Sequence, residues 1–453
     1  MITSVLVLAR QLLHHALQTR EAKKYAVFVY ILHLAHFALV ARKPNLTHSN
    51  SELIKRLLNR CWFLREEYHP TWYLLNNGHL HTIMVAFSQS HPRILYEREI
   101  FTLNDGGIVS LDWATPHEKQ DCPTVVMLHG LTGGSHDNYV CVAVDKLVRA
   151  GWQVVVMNAR GCAQTPVLTP KLFCAAYTDD LRQVMAMLRA KVVPTASLVS
   201  VGFSLGSNIM VKYIGEEGER CPLTAAVSVG NPYDIVECTR NLTHSLLPRL
   251  LYSGEMTKGL VSLFFERSNA HEKFATHPAI DLAKIRQVRT PSEFDEYVTR
   301  QIFGYDTVSE FYRDASCAQY LKRVRIPLLC LTADDDPICV DRSTPHDDVK
   351  ASDYIILATT TTGGHLGFYS GNNPFETPDQ WSSNAIVHFC RAVDLPLDEA
   401  DEDELDASEV PTTKSDLQDE EISVLHVAGA IFAVACVVQA VKWRHSLHKR
   451  WWM

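Results

Sequence analysis

A serine hydroxyl becomes a useful nucleophile only when a base takes its proton and a carboxylate orients that base. The run Gly202-Phe203-Ser204-Leu205-Gly206 has the small-residue spacing that exposes such a serine on a tight turn. Where the partners follow in the order acid, then histidine, two downstream stretches qualify. Asp334-Asp335-Asp336 directly follows the apolar run ending in Leu328-Leu329-Cys330-Leu331-Thr332. Asp336, just before Pro337, is the first choice for the acid and Asp335 the alternative. Three adjacent carboxylates also raise a metal site, but no converging histidine or glutamate is identifiable, so no metal is expected. The base is expected at His365 of Gly363-Gly364-His365-Leu366-Gly367, where glycines let the backbone bring an imidazole back to the serine.

Acyl transfer also needs two backbone N–H groups aimed at the developing oxyanion. One is expected from Leu205, immediately after the serine. The other is expected from Leu131 in the Gly-rich run His129-Gly130-Leu131-Thr132-Gly133-Gly134. His129 itself reads as a structural hydrogen-bonder rather than a base. No cofactor is implied.

These groups need a rigid frame, and the chain alternates buried-strand runs with helical patterns. Arg93–Leu103 alternates like a strand, Asn104-Asp105-Gly106-Gly107 signals a turn, and Ile108–Ala114 reads as a second strand. Further strands are expected at Thr124–Leu128, Gln153–Met157, Leu198–Gly202, Ala225–Val229, Pro327–Thr332 and Asp353–Ala358. Helices are expected at Asn138–Ala150, Asp179–Ala190 and 378–393. Such alternation predicts an α/β domain with a mostly parallel sheet and an antiparallel hairpin at its start, over residues 93–397. Between Gly230 and Arg325 no convincing strand occurs. A helical lid is expected over about 231–325, and its apolar residues favour an acyl chain. Residues 44–92 read as a helical approach segment packed on the main domain.

Five segments in order carry a resemblance: HGLTGGSHDNYV (129–140), NARGCAQTPVLTPKLFCAAYTDDLR (158–182), GFSLGSNIMVKYIGEEGE (202–219), ADDDPI (333–338) and GGHLGF (363–368). With GYDTVSEFYRDASC (304–317), they make residues 90–395 similar to the YheT-like type-4 family of AB hydrolases. The resemblance implies an α/β-hydrolase fold and a charge relay at Ser204, Asp336 and His365. It also implies esterase, monoacylglycerol or phospholipid lipase, or acyl-alcohol transferase chemistry in a membrane-anchored protein. Ala163-Gln164-Thr165 departs from that family's Gly/Ser-rich continuation, and a C-terminal acidic tether with a hydrophobic segment is not a family feature.

The net charge of −8 is unevenly spread. Residues 398–421 carry twelve Asp/Glu against one Lys, which leaves the rest of the chain near +3. No basic stripe suits nucleic acid. The acidic run is expected to be a disordered linker. It leads into Ile422–Val441, twenty residues without formal charge, followed by a basic tail, 442–453, with Trp443, Trp451 and Trp452. Those features predict a transmembrane helix, and Gly429 and Ala433 have a spacing that suits helix–helix pairing. Within the N-terminal hydrophobic segment 1–43, residues 1–22 resemble a mitochondrial presequence. Residues 25–41 fit either a signal anchor or a buried helix. Twelve scattered cysteines without a C-x-x-C pair exclude a disulfide framework and a zinc site.

The expected function is therefore a membrane-tethered serine hydrolase acting on lipid esters, with an endoplasmic-reticulum membrane as one setting. Acyl transfer to an alcohol through the same residues is the alternative, and an idle lipid-binding protein is a third reading. Two topologies fit the residues. Basic residues after Val441 and the sequons Asn45-Leu46-Thr47 and Asn241-Leu242-Thr243 suit a lumenal domain, whereas a tail anchor leaves the domain cytosolic.

Overall fold

Alternate residues of the central strands face opposite helical layers, which is why those strands read as unbroken apolar runs. Val125 and Met127 pack into one hydrophobic cluster, Val126 and Leu128 into the other. The computed structural model describes residues 40–71, 74, 76–88, 91–114, 121–371 and 377–395. The expected N-terminal presequence or anchor, acidic linker, C-terminal transmembrane helix and basic tail fall wholly or almost wholly outside these residues. No helix of the described residues is long and apolar enough to cross a membrane.

The strands of the main sheet are β1 (Asn45–His48), β2 (Glu97–Thr102), β3 (Ile108–Trp113), β4 (Thr124–Leu128), β5 (Gln153–Asn158), β6 (Leu198–Phe203), β7 (Ala225–Val229), β8 (Leu328–Ala333) and β9 (Ile355–Thr360). They form one nine-stranded sheet of order β1-β9-β8-β7-β6-β4-β5-β3-β2. Strands β4 to β9 run parallel, and the β2–β3 hairpin and β1 add antiparallel edges. The expected strands are all present, shifted by a few residues at their ends.

Helices α1 (Glu52–Arg60), α3 (Asn138–Arg149) and α6 (Trp381–Asp394) cover one face. Helices α4 (Asp179–Lys191) and α5 (Leu205–Glu217) cover the other. Helix α2 (Gly78–Phe87) lies beside the loop after β9. Burying a Val or Leu side chain contributes about 1.5–3 kcal/mol, and the central strands have every residue buried.

The segment 44–92 differs from expectation. It is not only a helical approach, because Asn45–His48 pairs with β9, Asn45 opposite Thr359 and His48 opposite Ile356. A four-residue polar edge strand is held by backbone pairing and leaves little side-chain pattern to read. Phe63 also stacks on Trp381 and His388. The insertion between β7 and β8 consists of helices and turns, as expected, with its own aromatic core of Phe264, Phe274 and Phe294.

Candidate active site

Sheet order reverses around β4, with β5 on one side and β6 on the other. Open parallel sheets bind ligands beyond the carboxyl ends of their strands at such a point. Ser204 follows β6, the 129–134 loop follows β4, Asp334–Asp336 follow β8, and His365 lies in the loop after β9. The sheet therefore delivers all four segments to one end.

Ser204 sits between β6 and α5 with φ 50° and ψ −120°. Such a conformation costs on the order of 1–3 kcal/mol for a non-glycine residue. Its surroundings impose it: the Ser204 N–H donates to the Val229 carbonyl at 2.9 Å, and the Ser207 hydroxyl donates to the Ser204 carbonyl at 2.6 Å. The flanking glycines are steric necessities. A Cβ on Gly202 would lie 2.5 Å from the Ser207 Cα, and one on Gly206 would lie 2.4 Å from the His129 carbonyl oxygen.

His365 Nε2 lies 2.8 Å from Ser204 Oγ, and its Nδ1 lies 2.9 Å from Asp336 Oδ2. The other oxygen of Asp336 accepts hydrogen bonds from the Ile338 and Cys339 N–H groups, both at 2.8 Å. Asp336 and His365 are buried and Ser204 is half-buried. In that chain of contacts the imidazole can take the serine proton while the carboxylate fixes the tautomer.

Asp335, the alternative acid, is placed elsewhere. Its carboxylate accepts from the Thr362 hydroxyl at 2.5 Å and from the Gly363 and Gly364 N–H groups at 3.0 and 2.9 Å. Burial nonetheless raises its pKa. Asp335 thus holds the loop that presents His365, and Asp336 meets the imidazole. Asp334 is exposed. Asp336, Cys339 and His365 bring one ligand-type atom each within 4.8 Å of one another. Two of the three, Asp336 and His365, are hydrogen-bonded to each other, with the Cys339 thiol beside them.

Leu205 opens α5, so its N–H has no carbonyl four residues back. Leu131 lies across the same cavity wall. The loop carrying Leu131 is braced by Tyr139, whose hydroxyl accepts from the Gly130 N–H at 3.0 Å and donates to Asp137 at 2.8 Å. His129 is as expected a structural group: Nδ1 lies 2.7 Å from the Gly130 carbonyl, and Nε2 accepts from the Ala159 N–H at 3.2 Å. Burial lowers its pKa, which suits the neutral form.

Three supporting residues, Thr82, Asn241 and Arg160, carried no clear signal in the sequence. The Thr82 hydroxyl on α2 accepts from the His365 N–H at 2.8 Å and donates to the Gly78 carbonyl at 2.7 Å. Gly364, at φ +57°, passes so close to α2 that a Cβ there would lie 2.2 Å from the Gly78 carbonyl oxygen. Asn241 is buried, and its amide donates to the Pro337 carbonyl at 2.8 Å. The Asn241-Leu242-Thr243 sequon is therefore not a glycosylation acceptor in the folded chain, because that amide nitrogen already braces the Asp336 loop. Arg160, fully buried, clamps Asp180 through two bonds of 2.7 Å and Asp105 through one of 2.9 Å. It fixes the loop after β5.

Ser204 opens into a cavity of about 1000 Å³, mouth included, between the sheet end and the insertion. Leu131, Leu172, Leu242, Leu260, Phe294 and Ile302 are among its lining residues.

A family model described as alpha/beta hydrolase fold matches residues 123–368. The chain is 34% identical over 364 residues to Embryogenesis-associated protein EMB8 of Picea glauca, covering 78% of this chain and 77% of that protein. It is 33% identical to a monoacylglycerol lipase of Saccharomyces cerevisiae, covering 72% and 67%. It is 30% identical to Phospholipase ABHD3 of Homo sapiens, covering 74% and 82%. With the sheet order and the strand-end loops described above, these matches place the chain in the alpha/beta hydrolase fold family, as a carboxylic ester hydrolase.

Proposed function

We propose that this protein is a membrane-associated serine hydrolase of the YheT-like type-4 branch that cleaves carboxylic esters of lipids. The observation that carries the reading is the unbroken contact chain Ser204–His365–Asp336 at the floor of a largely apolar cavity. A site for short polar esters has no use for so much aliphatic wall. The likeness to a phospholipase and a monoacylglycerol lipase supports the lipid class.

Ser204 Oγ attacks the acyl carbonyl carbon as its proton passes to His365 Nε2. Asp336 stabilises the imidazolium so formed. The Leu131 and Leu205 N–H groups bind the tetrahedral oxyanion. Collapse breaks the ester C–O bond, and the His365 proton goes to the departing alcohol. Water then attacks the acyl-enzyme by the same route, leaving a free acid and a restored serine. An alcohol in place of that water gives the acyl-transfer variant. The helices of 231–325 serve as the lid over the acyl chain. The terminal hydrophobic segments supply the membrane attachment.

Labelling with a fluorophosphonate probe tests the reading, comparing wild type with Ser204→Ala in membranes. Labelling of wild type alone, with release of fatty acid from monoacylglycerol and phospholipid, is expected. Absence of labelling in folded wild type overturns it. A panel run with and without added alcohol then separates hydrolysis from transfer by the product formed.

A further inference from the structure

One acidic residue of the insertion, Asp295, lines the cavity. Asp295 is half-buried. Its Oδ1 accepts from the Thr299 hydroxyl at 2.6 Å and its Oδ2 from the Tyr312 hydroxyl at 2.7 Å. No Lys or Arg pairs with it among the described residues. A carboxylate oxygen accepts about two hydrogen bonds, so each Asp295 oxygen has accepting capacity left. The residue also opens a π-helical turn, Asp295–Thr299, a wide turn that recurs at functional sites.

A polar group kept in an apolar wall costs free energy unless something completes its hydrogen bonds. We propose that Asp295, Thr299 and Tyr312 form a recognition point for a hydroxyl carried on the acyl chain of the substrate. The inference rests on the reading of this cavity as the acyl site of an ester hydrolase. The chain hydroxyl donates to Asp295 and accepts in turn from the rearranged Thr299 or Tyr312 hydroxyl. A cationic group is the less suitable occupant, because carrying it past the aliphatic lining strips its hydration. A chain ending in a carboxylate is rejected, since two like charges meet in a dry site. Burial raises the Asp295 pKa to about 6, and at either protonation state the group can bond a hydroxyl.

The test uses the full-length protein and chromogenic esters of a straight saturated chain, compared with isomers carrying one hydroxyl at successive carbons. At one position kcat/KM is expected to exceed that of the parent ester by about tenfold or more, the worth of one hydrogen bond to a charged group. In Asp295→Leu the ratio of hydroxylated to parent ester falls towards one. Asp295→Asn keeps the shape, and there the ratio falls severalfold, which covers the case in which the leucine variant fails to fold. The matching free hydroxy acid raises the melting temperature of wild type more than the parent acid does, and this difference vanishes in Asp295→Asn. Equal kcat/KM for every isomer in wild type, or an unchanged preference in Asp295→Asn, overturns the inference and leaves the ester-hydrolase reading standing. Failure to cleave any ester, substituted or not, overturns both.

Discussion

The carboxyl end of the sheet and the helical insertion above it face each other across one cavity, and they are built differently. On the sheet side, each reactive group leaves the end of a fully buried strand, and backbone strain at Ser204 is held by bonds to Val229 and Ser207. In the insertion, three π-helical turns interrupt the helices, at Arg249–Ser253, Leu263–Arg267 and Asp295–Thr299. Leu246, Leu247 and Leu250 are exposed there. A parallel sheet buried on both faces fixes positions to fractions of an ångström, which relay geometry demands. The interrupted helices of the insertion instead line the cavity with Leu260, Phe294 and Ile302. The proposed function thus puts the chemistry on the sheet side and the choice of chain on the insertion side.

The largest effect that would break this division is on the sheet side. Asp336→Asn is expected to lower kcat by about 10⁴-fold through the wrong histidine tautomer. Asp335→Asn, one residue away, should cost far less, about 10- to 100-fold, by loosening the loop that presents His365. Steady-state kinetics on a single ester separates them, and equal losses would mean that the two carboxylates share the role.

On the insertion side, Ile302→Phe narrows the cavity. It is expected to lower kcat/KM for long-chain esters by about tenfold while short-chain esters change little, since a methylene or two in an apolar pocket is worth about 1–3 kcal/mol. A uniform loss across chain lengths would show that Ile302 does not line the acyl path.

Acid titration contrasts the two sides by sign. Burial holds His81, beside the site, at about 3 and His388, against Phe63, at about 4, both below the ordinary histidine value. Each therefore binds a proton in the unfolded chain before the folded one, and stability falls as pH drops from 6.5 through those values. The slope approaches about 1.4 kcal/mol per pH unit for each group. Asp295 acts oppositely: its raised pKa favours folding below the ordinary aspartate value, and that contribution is lost as pH rises through about 6. Melting temperatures from pH 7 to 4 should fall, and the fall should be shallower in His388→Phe and steeper in Asp295→Asn.

The smallest effect sits on the boundary. Asn241 belongs to the insertion yet braces Pro337 beside Asp336. Asn241→Ala is expected to cost about 1–3 kcal/mol of stability, from an unsatisfied carbonyl, and a severalfold drop in kcat. Loss of stability without any kinetic change would remove it from the site.

Sequence alone determined the strand ladder, the elbow, and the order Ser204, acid, His365, because each rests on local rules. Buried parallel strands need continuous apolar runs, a strained turn needs small neighbours, and a backbone that folds back needs glycine. Asp336 was separated from Asp335 only by its place before Pro337. In the fold, Asp336 meets the imidazole, and Asp335 meets the Thr362 hydroxyl and the Gly363 and Gly364 N–H groups. Tertiary structure alone revealed the edge strand Asn45–His48, the Thr82 bond to His365 across 283 positions of sequence, and the amide of Asn241 beneath the acid loop. It alone set Asp295 into an apolar wall. The physical reason is common to all four. A hydrogen bond between distant segments depends on where the packed layers bring two groups, and neither segment carries a periodic trace of its partner.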